Sequence, residues 1–188
     1  MKSTMAVFIG FVLVAACAGQ SEPGIAFESP ARVTVGVDWI WSEPAGLHFA
    51  RTETTVAQYQ ACMNDGGCDR EHISSRLYFP DAPFLCVWGC TDCDDYPMTC
   101  ISWYGAAEFC KWAGGRLPTA DEWYAEASDG GEREFPWGNE APDCSKCIRD
   151  DGGDGCGKDR PWPVCSKPPG NSVSGLCDMA GNVWEWTS

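Results

Sequence analysis

Thirteen cysteines in 188 residues constrain this chain more than any hydrophobic pattern in it. Thiols at that density belong to an oxidising compartment, where covalent staples replace part of the core that a short chain cannot build. One pair follows from local spacing. Cys62 and Cys68 flank Asn64-Asp-Gly-Gly67, so a helix end and a tight turn bring them together. Cys90-x-x-Cys93 and Cys144-x-x-Cys147 have the look of a four-thiolate zinc site, but the two pairs are further apart than a zinc ribbon allows and export favours oxidation. Spacing does not fix the remaining connectivity.

Met1-Lys2 and the apolar run from Met5 to Ala16 predict a signal peptide over residues 1–16, too short to be a spanning helix. Val14-Ala-Ala-Cys17 resembles a bacterial lipobox, which makes Cys17 the lipidated first residue of the mature chain; an ordinary secretory signal with a coincidental cysteine is the other reading. Setting Cys17 aside leaves twelve cysteines, an even number for pairing. Residues 17–32, rich in small residues, Glu and Pro, then form a tether, and residues 33–188 one domain. The expected location is outside the cytoplasm, as a lipoprotein held at the periplasmic face or cell surface by its lipid.

The formal charge is −14, from 27 acidic and 13 basic residues. Nucleic acid is excluded as a partner, because no basic patch is present to neutralise phosphates. Three helices are expected. The first spans about 55–65, with Thr55-x-x-Gln58 as a capping box, and the second about 103–113, capped by Ser102 and stopped at Gly114-Gly115. The third opens on a second capping box, Thr119-x-x-Glu122, and ends before Gly130-Gly131. Val33-Thr-Val-Gly-Val37 is the best strand signal, and residues 135–169 read as turns. His48 and His72 stand alone, which assigns them to packing or surface roles.

The run Gly175-Leu-Cys-Asp-Met-Ala-Gly-Asn-Val-Trp-Glu-Trp186 is a loop by composition. Asp178 and Glu185 bracket a stretch of free backbone carbonyls, the oxygen-rich arrangement that calcium coordinates. A tryptophan-anchored turn with two solvated acids is the alternative. The acidic run 149–155 misses the EF-hand spacing and reads as a solvated loop.

Four segments in order, Thr52-Glu-Thr-Thr-Val-Ala-Gln-Tyr59, Ser102 to Thr119 followed by Glu122-Trp123, Phe135-Pro-Trp-Gly138, and the 175–186 loop, resemble the formylglycine-generating enzyme (sulfatase-modifying factor) family. The resemblance covers residues 50–188. It implies an α+β fold of the C-type lectin-like kind, loop-rich, disulfide-stapled and here incomplete at the C-terminus. It also implies one calcium site, with Asp178 and Glu185 ligating through side chains and Gly181 and Val183 through carbonyls. A second family calcium site uses an asparagine that the stretch Asp143 to Ile148 lacks. Cys165 and Cys177 occupy positions where the family commonly has other residues, which makes them candidate partners. The cysteine matching Cys110 can pair in the family with one near the C-terminus, which would leave Cys110 a free thiol in this chain.

The family oxidises a sulfatase cysteine to formylglycine with oxygen and a copper ion held by two cysteines. That pair falls beyond Ser188, so no catalytic residue is assigned here, and copper is expected only if a further C-terminal segment exists. The implied partner is a sulfatase-like polypeptide or another protein. Three readings compete: part of such an oxidase, a non-catalytic surface lipoprotein using the fold as a ligand- or protein-binding module, and a disulfide-stapled structural surface protein.

Overall fold

The computed structural model describes residues 13–15, 17–19, 36–74, 86–149, 156–158 and 160–188. The α+β expectation holds: among the described residues there are three short α-helices and two small two-stranded sheets. Strand β1 (Leu13–Ala15) pairs in parallel with β4 (Trp184–Trp186), and β2 (Trp39–Ser42) pairs antiparallel with β3 (Leu47–Ala50). The β2–β3 hairpin turns through Glu43-Pro-Ala-Gly46, where Gly46 takes a φ of 68°. Much of the Val33–Val37 strand signal lies outside the described residues, and Gly36 to Asp38 carry no regular structure.

The helices begin where their caps dictate. Thr55 and Gln58 close a reciprocal capping box at the start of α1 (Val56–Asn64), and Thr119 and Glu122 do the same for α3 (Ala120–Ala127). Ser102 caps α2 (Trp103–Trp112) by accepting from the Gly105 amide. The buried faces of α1 and α2 meet through Tyr59 and Phe109, whose rings stack at 6.1 Å, above Met98, Ile101 and Leu117. A second cluster gathers Phe49, Ala127, Leu176 and Met179, and it holds the C-terminal loop against α3 and the hairpin. Among the described residues no helix is long and apolar enough to cross a membrane.

Six disulfides staple these layers: Cys17–Cys110, Cys62–Cys68, Cys86–Cys100, Cys90–Cys93, Cys144–Cys156 and Cys165–Cys177. The structure corrects the sequence reading at the first of them. Cys17, expected to bear a lipid and open a tether, is fully buried and bonded to Cys110. A sulfur in a disulfide has no valence left for a thioether to lipid, and Cys110 is therefore not a free thiol. Ala18 exchanges two backbone hydrogen bonds with Arg116, and Gly19 donates to the His48 carbonyl. Residues 17–19 thus belong to the domain rather than to a tether. The rest of the expected signal peptide and tether, 1–12, 16 and 20–32, lies outside the described residues. The zinc alternative fails too, because Cys90, Cys93 and Cys144 are all in disulfides.

Candidate metal centre

Residues 175–183 form the loop the sequence predicts, whereas Trp184–Trp186, expected to belong to it, pair with Leu13–Ala15 as β4. Asp178 and Asn182 each adopt a φ of 56°, a left-handed conformation that Asp and Asn tolerate better than most side chains. Gly181 has a φ of 95°, and a Cβ built there would sit 2.2 Å from the Ile148 carbonyl oxygen. That carbonyl accepts the Asn182 amide at 2.8 Å, so the turn rests directly on the 143–149 segment. The Cys165–Cys177 disulfide lies alongside, and the Cys165 amide donates to Asp178 Oδ2 at 2.6 Å.

Three carboxylates converge electrostatically on this loop. Burial holds Asp178 up at about 6, against the hydrogen bond from Cys165. Burial likewise pushes Glu185 up to about 7, opposed by the 2.7 Å hydrogen bond from Trp123 Nε1 and reinforced by the charge of Asp178. Glu53, from the segment between β3 and α1, is raised well above its ordinary range by burial and then by Asp178 and Glu185. Its Oε2 accepts from Asn182 Nδ2 at 2.9 Å, and that bond together with one from the Val183 backbone opposes the rise. None of the three has a cationic partner in an ion pair among the described residues. Of the three, Glu53 is wholly buried while Asp178 and Glu185 are half-buried at the cavity wall, and a hard divalent cation would offset the cost of desolvating their charge.

Of the residues singled out in the sequence, Asp178, Gly181, Val183 and Glu185 all line one cavity of about 360 Å³. Among the described residues no three His, Cys, Asp or Glu side chains form a cluster placed to hold a metal ion, so a calcium here would draw on the two acids and on backbone oxygen. The donor set suits calcium in kind, being hard oxygens with unneutralised charge. Sequence reasoning missed Glu53 and Asn182 as parts of this centre. Glu53 had appeared only as one letter of a resembling motif, and no local pattern marks it as buried. Trp123, Tyr124, Met179 and Trp184 supply the cavity's aromatic and apolar walls, with Tyr124 57% and Trp184 37% exposed.

Copper is a different matter. All thirteen cysteines are among the described residues; twelve are in disulfides, and Cys147 is a single buried thiol. A two-thiolate copper site does not fit this set.

The fold and loop together define a small α+β domain stapled by disulfides around an acidic, tryptophan-rich C-terminal turn. Residues 38–188 match the sulfatase-modifying factor enzyme 1-like domain, and the chain belongs to that family. It is 31% identical over 162 residues to hercynine oxygenase of Mycolicibacterium thermoresistibile, covering 76% of this chain and 35% of that protein. It is 36% identical over 105 residues both to the inactive C-alpha-formylglycine-generating enzyme 2 of Bos taurus and to the formylglycine-generating enzyme of Mus musculus. Those matches cover 50% of this chain and 33% and 27% of the relatives. The chain thus spans about a third of the length of the curated relatives it matches.

Proposed function

We propose that these residues form an exported, calcium-stabilised domain of the formylglycine-generating type, with a lectin-like arrangement of its loops, that does not itself oxidise cysteine. The observation that carries the reading is the buried Glu53 beside the half-buried Asp178 and Glu185, three acids that share no ion pair with a basic side chain among the described residues. Asp178 and Glu185 would ligate calcium through side chains, and Gly181 and Val183 through carbonyls. Bound calcium supplies fixed positive charge that neutralises the acids and tightens the turn. Export is supported by six disulfides in one short chain.

Within residues 1–188 Cys147 is the single free thiol, so these residues do not by themselves make a two-thiolate copper site. With no pair of free thiols, they offer copper no such site until a disulfide is opened. A second reading, a ligand- or protein-binding module, is favoured by the cavity walled with Trp123, Tyr124 and Trp184. A sulfatase-like polypeptide or another protein would be its partner.

The test is a thermal melt of the purified chain against a calcium series. The melting temperature should rise with the logarithm of calcium concentration, and Glu185→Gln should flatten the response. An unchanged melting temperature would leave the loop a tryptophan-pinned turn. In parallel, a cysteine-containing sulfatase peptide incubated with copper-loaded protein should gain no formylglycine; aldehyde formation would overturn the non-oxidising reading.

A further inference from the structure

Cys147 lies beneath the Gly181 turn, its Sγ 3.8 Å from the Asp143 carbonyl oxygen, next in the chain to a disulfide that shares its segment. Cys144 and Cys156 are joined, with Cα atoms 5.5 Å apart, and Cys147 is the free thiol lying between them in sequence. The amides of Lys146 and Cys147 both donate to the Asp143 carbonyl, at 3.0 and 3.1 Å, so residues 143–147 make one helical turn. Positions three apart on such a turn share a face, which gives Cys144 and Cys147 a separation that a disulfide accepts with small adjustment. The same spacing is already closed elsewhere in this chain, at Cys90–Cys93, with Cα atoms 5.7 Å apart. Cys156 Sγ packs onto the same backbone, 3.6 Å from the Cys147 carbonyl oxygen and 3.7 Å from that of Arg149.

We propose that Cys144, Cys147 and Cys156 form a thiol–disulfide exchange site whose pairing sets the support of the acidic loop. The Cys147 thiolate attacks Cys144 Sγ, the Cys144–Cys147 bond forms, and the Cys144–Cys156 bond breaks with its electron pair leaving on Cys156. The proton given up by Cys147 is matched by the one Cys156 takes, so one disulfide moves and no oxidant or reductant is consumed. The resting pairing is Cys144–Cys156, with Cys147 held as the buried free thiol.

The consequence reaches the loop through Cys147 itself. A Cβ on Gly181 would lie 3.1 Å from Cys147 Cβ, so this side chain packs directly under the turn. The Ile148 carbonyl that receives the Asn182 amide is the next group along the chain. Turning Cys147 toward Cys144 withdraws both supports from the residues between Asp178 and Glu185.

Incubating the native chain in a glutathione buffer, blocking free thiols and mapping peptides without reduction tests this. The expected result is a Cys144–Cys147 linkage appearing together with blocked Cys156, and its disappearance in Cys147→Ser. Cys156→Ser should fold with Cys144 and Cys147 joined and should lose hydrogen-exchange protection at the Asn182 amide. A map holding only Cys144–Cys156 with blocked Cys147, or a Cys147–Cys156 linkage in its place, would overturn the proposal. If Cys156→Ser does not fold, the wild-type map alone decides.

Discussion

Asn182 Nδ2 donates to Glu53 Oε2 at 2.9 Å across 129 positions of sequence, tying the segment before α1 to the C-terminal loop. The same side chain donates to the Trp162 carbonyl at 3.2 Å and accepts the Trp162 amide at 2.9 Å. One buried amide therefore joins three separate segments, one of which carries a carboxylate raised by burial and then by the charges of Asp178 and Glu185. Its left-handed backbone allows this, because a φ of 56° aims the side chain inward while the main chain turns away.

Asn182→Gly keeps that backbone without strain and removes all three side-chain bonds. The expected loss is about 3 kcal/mol, since buried partners at Glu53 and Trp162 are left unsatisfied. Urea unfolding measures it, and Asn182→Ala should lose about 1 kcal/mol more through strain at positive φ. A loss below about 1 kcal/mol for either variant would contradict the bridging role.

Gly181→Ala should be among the most damaging single changes. The new methyl would lie 2.2 Å from the Ile148 oxygen at a φ of 95°, so the turn must shift to admit it. A destabilisation of about 3 kcal/mol or more is expected, with the calcium-dependent rise in melting temperature abolished. A variant of normal stability that keeps its calcium response would show that the turn is not the ligand frame.

Acidity should act on the metal-free domain in the direction opposite to ordinary acid denaturation. Asp178 and Glu185 sit at about 6 and 7 when folded, above their unfolded values. The folded state therefore binds more protons between about pH 4 and 7, and stability falls as pH rises through that window. Each group contributes about 3 kcal/mol to the difference, so metal-free protein should melt higher at about pH 5 than at about pH 8. Calcium competes with the same protons, and its apparent affinity should fall about tenfold on going from pH 7 to pH 6. Melts at both pH values, with chelator and with calcium, check the two signs together.

Cys17→Ser opens a disulfide that closes a separation of 93 residues. The loop-closure argument gives a loss of about 4.6 kcal/mol, with Cys110 becoming reactive once the protein unfolds. A non-reduced peptide map of the native chain should link Cys17 to Cys110, and palmitate labelling should leave Cys17 unmarked. Label at Cys17 would restore the lipid-anchored reading.

Where information was local, the sequence was legible. The caps at Thr55, Ser102 and Thr119 start the three helices at the expected residues, because a cap needs only an oxygen and an amide two or three positions away. Cys62 and Cys68 meet for a similar reason, six positions apart around a helix end. The β2–β3 hairpin is not among the expected elements although Pro44 and Gly46 mark its turn, because its strands are only four residues long and carry too few positions to show an alternation.

The sequence by itself determined the helix starts, the family and the acids of the C-terminal loop, because each is carried by residues within one short segment. Only the tertiary structure decided that Glu53 is buried within electrostatic reach of Asp178 and Glu185, that Asn182 serves three segments, and that Cys17 belongs to Cys110. Those relations depend on burial and on chain closure over roughly 90 to 130 residues. A carboxylate's protonation and a cysteine's partner are set by whatever the fold places beside them, and neighbouring letters do not encode that.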